Sequence, residues 1–240
     1  MASKKVSIVV PVLNSHEVLR RQFLHMERMD LHDVEIIIVD DGSEPPLEYV
    51  GDLPVRIIRT NDTRPWTWAL ARNRGAREAL GEYLFMFDID HYFLYDTIEV
   101  IRRCDKEKIQ FTREFGVLLE DGTPTQDRDI LEKYGLPKNR GIAFGPLPNN
   151  FVMRRDTFWD IGGYREDLVE KPYPQGEDRL FKKAWYEYER QGKGSVYHER
   201  TNMYMFPNGY YLGDVDADPK HLFHTLTRKT KRNHKYKDKK

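Results

Sequence analysis

Four strand-length apolar runs set the strongest limit on what this chain can fold into. They are "VSIVVPVL" (6–13), "VEIIIVDD" (34–41), "VRIIRT" (55–60) and "YLFMF" (83–87), all β-branched or aromatic in character. Helix-length segments separate them, at about 16–29 and 66–80, with a short one near 46–50. Strands alternating with helices, each strand apolar on both sides, predict a parallel sheet covered on both faces. In the segment 66–80, Trp66, Ala69, Leu70, Asn73, Ala76 and Leu80 fall at helical intervals and share one face. Asn73 is therefore turned towards the sheet, and Gly81 stops the helix.

Open α/β sheets bind ligands outside the carboxyl ends of their strands. Here those ends read Pro11 to Asn14, then Asp40, Asp41, Gly42 and Ser43, then Asp88, Ile89 and Asp90. A buried carboxylate without a partner costs several kcal/mol or takes up a proton. Acids placed at the tips of apolar strands are thus either paired or the place where a cation binds. Hard divalent cations such as Mg²⁺ or Mn²⁺ take one or two carboxylates together with substrate phosphates. An Asp-x-Asp pair on an extended segment points both side chains to the same side. Neither GxxxxGK[ST] nor a GxGxxG after the first strand is present. A metal-bridged diphosphate would need neither.

The 240 residues suffice for one large domain or two small ones, and 39% hydrophobic against 32% charged residues is a globular balance. A single cysteine, Cys104, excludes an internal disulfide and fits a reducing compartment. Pro11 interrupts the N-terminal apolar run and no small-residue cleavage site follows, so no signal peptide is expected. No stretch approaches the ~20 apolar residues of a membrane span. The expectation is a soluble, cytoplasmic protein, if need be peripheral to a membrane. Formal net charge is zero, yet Arg228–Lys240 holds eight basic residues and one acidic. That tail reads either as a solvated terminus or as a handle for an anionic surface, nucleic acid or membrane.

Four elements, "VSIVVPVLN", "VEIIIVDDGS", "ALARNRGAREALGEYLFMFDID" and "DIGGYREDL…GEDRLFKKAW", stand in the order and spacing of family 2 glycosyltransferases. The resemblance covers about residues 5–190. It implies the GT-A fold, a mostly parallel nucleotide-binding sheet flanked by helices with a smaller, mixed acceptor-side region. Residues 1–217 would form that single domain, and 218–240 a basic tail, helical or flexible. By the resemblance, Pro11, Leu13, Asp40 and Asp41 line the nucleotide, and Arg72 and Asn73 face the donor pocket. Asp88 and Asp90 hold Mn²⁺ or Mg²⁺ on the donor diphosphate. Asp178 shares the inward helical face of Phe181 and Trp185 within the stripe Leu180, Phe181, Ala184, Trp185 and Tyr188. Spacing alone leaves it equally a first-turn acid of a helix. The resemblance makes it the general base, with Glu177 beside it, and implies inversion. The donor so implied is a nucleotide-sugar, first of all a UDP-sugar. The default acceptor is a glycan or lipid-linked saccharide, and the tail admits a modified nucleic acid base.

Three features stay open. Relatives carry a further histidine beyond the Glu-Asp pair; His198 is offered as that metal ligand but comes early, and His91 reads equally as packing or ligand. Gly162 and Gly163 end a helix over about 155–161 and, by the resemblance, border the acceptor cleft. Residues 105–145 predict a hairpin turning at Asp121-Gly122, then loops over the cleft. Haloacid-dehalogenase-like phosphatases also place Asp-x-Asp after an apolar strand, but after the first strand, not the fourth. Nucleotidyltransferases share a similar sheet. A sugar- or nucleotide-binding module without catalysis would not need Asp178.

Overall fold

The computed structural model describes residues 5–62, 64, 67–144, 149–170 and 176–207. β1 (Val6–Val12), β2 (Val34–Asp40), β3 (Val55–Arg59) and β4 (Tyr83–Met86) form a parallel sheet in the order β3-β2-β1-β4. β1 lies between β2 and β4: the chain steps from β1 to β2 and on to β3, then crosses back to β4 on the other side of β1. Such a switch point opens the crevice where these sheets bind ligands. Beyond β4 the sheet becomes mixed. β10 (Phe151–Arg154) runs antiparallel to β4, followed by β6 (Lys108–Phe115), β11 (Val196–Met205) and β5 (His91–Tyr92), while β9 (Ala143–Phe144) pairs with β6.

Alternation along the strands explains why their runs are apolar throughout. Ile8, Val10, Ile36, Ile38 and Phe85 face one core, packed by Val18, Leu19 and Phe23 of α1 (His16–Met26) and Ile98 and Ile101 of α3 (Tyr95–Arg103). Val9, Ile37, Val39, Leu84 and Met86 face the other. There they meet Ala69 and Ala76 of α2 (Trp68–Glu78), Phe158 of α5 (Arg155–Asp160), and Phe181 and Trp185 of α6 (Glu177–Arg190). Burying both faces in this way is what a parallel sheet requires. Cys104 follows α3 as a buried, free thiol.

Several local expectations are corrected. No helix forms at 46–50: Pro45 and Pro46 lead into it, and Asp40 Oδ2 accepts the Leu47 N–H (3.2 Å), fixing the segment as a loop. Helix α2 ends at Glu78, with Ala79 extended, so Leu80 leaves the apolar face and is 68% exposed. Leu180 also lies outside its expected stripe, on the exposed side of α6. The hairpin does form, as β7 (Val117–Leu118) and β8 (Pro124–Thr125) with Asp121-Gly122 in the turn. It docks along α1: Arg20 and Arg21 donate to the carbonyls of Glu120 and Leu118 (both 2.9 Å), and Arg28 to that of Asp121 (2.6 Å). At Gly122 (φ +82°) a Cβ would stand 2.7 Å from the His25 nitrogen, so the turn needs glycine for both conformation and contact. After the hairpin, Asp127 accepts the Ile130 N–H (3.1 Å) and starts a helix, α4 (Arg128–Lys133), where a loop was expected.

Candidate active site

The carboxyl ends of β1 and β2 are stapled together by their own polar residues. Asp40 is buried and accepts from the Ser43 N–H (2.7 Å), the Leu47 N–H and Arg59 (3.2 Å). Asn14 Oδ1 accepts the Glu44 N–H (2.7 Å), and the Asn14 N–H donates to Ser43 Oγ (2.9 Å). Asp41, also buried, accepts from Thr60 (2.9 Å) and from Thr67, the residue before α2. Pro11 and Leu13 are buried at the end of β1. The acids expected on the nucleotide thus shape the loops that would receive it.

Because α2 begins at the carboxyl end of the sheet, its second turn carries Arg72 and Asn73 over the crevice. Arg72 is buried; it donates to Asp88 Oδ1, lies 3.9 Å from Glu177 and stacks 5.3 Å from the Tyr164 ring centre. Burial opposes its charge, but the fields of Asp88 and Glu177 outweigh that and raise its pKa above the ordinary arginine value. Its Nε and Nη1 groups are buried and have no hydrogen-bond partner among the described residues. Asn73 is placed differently from the expectation. Its side chain grips the turn after α5, accepting the Tyr164 N–H (3.0 Å) and donating to the Tyr164 carbonyl (2.8 Å) and Glu166 (2.7 Å). Gly163 (φ +60°) sits against that amide, where a Cβ would come within 3.0 Å of Asn73 Oδ1.

Tyr164 carries the turn's position to α6. Its ring stacks on Phe181 (4.5 Å between centres), which stacks in turn on Phe151 (5.0 Å). Glu177 and Asp178 occupy the first turn of α6, and the Asp178 carboxylate accepts the Arg179 N–H (2.7 Å). Burial raises the pKa of the Tyr164 phenol; Arg72 opposes this, while Asp88, Glu177 and Asp178 add to it. Three carboxylates from two elements therefore act on one buried ring.

Asp88 and Asp90 follow β4 in a turn and not on an extended segment, closed by the His91 N–H on the Asp88 carbonyl (2.9 Å). The carboxylates converge nevertheless: Asp88, Asp90 and His91 each offer a ligand atom, all within 4.8 Å of one another. The turn is held from three sides. Gln22 donates to the carbonyls of Ile89 (2.7 Å) and His91 (2.8 Å), the Phe206 N–H to that of Asp90 (2.9 Å), and Asn150 Oδ1 accepts the Asp88 N–H (3.0 Å). The backbone of His198, in β11, pairs with Gln110 of β6, five β6 positions from Phe115, the partner of Met205, which itself pairs with His91. At about 3.3 Å per residue that is about 16 Å along the strand. Asn150 was not foreseen, since a polar residue just before a strand carries no distinguishing pattern. The carboxylate pair is a donor set suited to a hard divalent cation.

Residues 7–162 match the family model described as Glycosyl transferase family 2. Among curated proteins the chain is 29% identical over 110 residues to "Glycosyltransferase GlyG" of Streptococcus pneumoniae, covering 44% of this chain and 36% of the relative. It is 28% identical over 141 residues to "Putative glycosyltransferase EpsH" of Bacillus subtilis, covering 56% and 40%. The chain thus spans well under half the length of these two relatives. Among solved structures, S. aureus TarS 1–349 in complex with UDP-GlcNAc superposes with a TM-score of 0.56 at 18% identity, covering 83% of this chain and 58% of that one. Mannosyltransferase PcManGT from Pyrobaculum calidifontis, in complex with GDP-Man and Mn²⁺, gives 0.54 at 16% identity, covering 87% and 59%.

Proposed function

The chain belongs to glycosyltransferase family 2 and has the GT-A fold, an enzyme architecture for transferring sugars, and from that premise we propose a metal-dependent, inverting transfer from a UDP-sugar to an acceptor hydroxyl. The observation that carries this reading is the convergence of Asp88 and Asp90 at the tip of β4, linked through Arg72 to the start of α6. The two carboxylates would hold Mn²⁺ or Mg²⁺, which as a Lewis acid would offset charge on the departing nucleoside diphosphate. Arg72 is a buried guanidinium whose charge is favoured by its carboxylate neighbours, and a planar guanidinium suits an anionic diphosphate. Pro11, Leu13 and the loops braced by Asp40 and Asp41 would flank the nucleotide.

Asp178, at the open end of α6, would take the acceptor proton as the hydroxyl attacks, with Glu177 held towards Arg72. One base and a direct attack opposite the leaving group give inversion. UDP is favoured because TarS is described with UDP-GlcNAc, whereas PcManGT is described with GDP-Man. A glycan or lipid-linked saccharide is the proposed acceptor.

The test is a donor screen. Nucleotide release from UDP-, GDP- and other nucleotide-sugars is followed with Mn²⁺, with and without chelator, beside Asp90→Ala. Chelator-sensitive release from one donor class, lost in the variant, is expected. Release that ignores both chelator and substitution would remove the metal from the reading.

A further inference from the structure

His91 is fully buried directly behind the carboxylate pair, and both of its ring nitrogens are engaged within the protein. Nδ1 lies 2.7 Å from Asp90 Oδ1, and Nε2 lies 3.4 Å from Asn150 Nδ2. The Asn150 amide orientation is fixed independently, because its Oδ1 accepts the Asp88 N–H at 3.0 Å and its Nδ2 is therefore the group facing the ring. The tautomer then follows from donor and acceptor matching. Asn150 Nδ2–H donates to Nε2, so the proton of the neutral ring sits on Nδ1 and is donated to Asp90. A single relay joins the Asp88 backbone, Asn150, His91 and the Asp90 carboxylate.

We infer that His91 and Asn150 are positioning residues that fix Asp88 and Asp90 in register for a divalent cation, and that His91 does not itself ligate it. The inference rests on the metal reading above and extends it to two residues behind the carboxylates. The ring has no exposed edge to offer, and the nitrogen opposite Asp90 faces an amide N–H. An imidazole N–H on a ligating carboxylate fixes that carboxylate's rotamer, and loss of such a support typically lowers metal affinity by about 10–100-fold.

The experiment measures binding of UDP, or of GDP if UDP does not bind, by calorimetry with Mn²⁺ and with chelator. The Mn²⁺-dependent gain in affinity is the quantity compared across the wild type, His91→Leu, His91→Asn and Asn150→Ala, each checked by thermal melting. His91→Leu and Asn150→Ala are expected to lose about tenfold or more of that gain, with metal-free affinity unchanged within twofold. His91→Asn, which returns an N–H towards Asp90, is expected to restore most of it. An unchanged gain in His91→Leu overturns the inference; if that variant does not fold, Asn150→Ala decides in the same way. A loss in His91→Asn as large as in His91→Leu also overturns it, since the ring nitrogen and not the N–H would then be the needed feature. A wild type indifferent to Mn²⁺ removes the metal reading itself, and the inference with it.

Discussion

Arg72 is the residue on which the two halves of the site depend, because it touches Asp88 after β4 and approaches Glu177 on α6 from a buried position. Arg72→Lys keeps a charge but loses the planar fork, so it cannot face both carboxylates and a diphosphate together. Its kcat/KM for the donor is expected to fall about 100-fold in steady-state assays. Asp178→Asn removes a base and leaves the donor side intact: turnover should fall about 10²–10⁴-fold, while nucleotide affinity by calorimetry stays within a factor of two. A binding module would show no change on Asp178→Asn, having no turnover to lose. Lys108 poses a different question. It is buried under Trp185 (4.9 Å) and Phe151 (5.8 Å), and burial depresses its pKa to about 8. Between about 8 and the ordinary lysine value the unfolded chain holds a proton that the folded chain lacks. Stability from this group therefore rises with pH across that window, and below it the cost is fully present. Lys108→Met should stabilise the protein at pH 7 by up to roughly 3 kcal/mol, less whatever the aromatic contacts return. Denaturant melts of both proteins from pH 7 to 10 check this; a wild-type-minus-variant difference independent of pH would refute it.

Among the elements, α6 matters most for chemistry, since it carries Glu177 and Asp178 at its start and is seated by aromatic stacking. Phe181 lies between Tyr164 and Phe151, with Trp185 buried one turn on. Phe181→Ala is expected to cost about 3–5 kcal/mol in chemical denaturation and to lower kcat more than donor affinity, because the acceptor-side acids shift while the β4 turn does not. Phe181→Leu, which keeps most of the volume, should lose less of both. The turn between α5 and α6 acts in the same direction: Asn73 grips Tyr164 by both backbone groups, and Tyr164 holds Phe181. An asparagine first read as a donor contact is thus a link between helices. The hairpin of β7 and β8, by contrast, docks on α1 through arginine–carbonyl bonds.

At the scale of the whole molecule, the two apolar clusters reach Phe206 among the described residues, and the sequence places an excess of seven positive charges in Arg228–Lys240. A chain ending at residue 217 is expected to retain its melting temperature within a few degrees and its metal-dependent nucleotide release. If the tail is the handle for an anionic surface, the shortened chain loses the salt-sensitive binding to anionic vesicles that the full chain shows. Co-sedimentation at two ionic strengths reads this directly, and undiminished binding by the shortened chain would place the anion-binding surface on the domain. The parallel half of the sheet was legible in the sequence because burial on both faces demands unbroken apolar runs, and the acids at the strand tips stood out against them. Asp88 and Asp90 could be singled out for the same reason, as charges at the tips of strands that otherwise exclude charge, whereas Arg72 and the Glu177-Asp178 pair were marked only by the resemblance to the family. What those charges face was settled by tertiary structure alone. Asp40 is braced from up to 19 positions away, Asn73 grips a turn 91 to 93 positions away, and the His91 ring meets Asn150 across 59 positions. No periodicity of a single chain segment encodes such contacts, because they arise from how finished elements pack together.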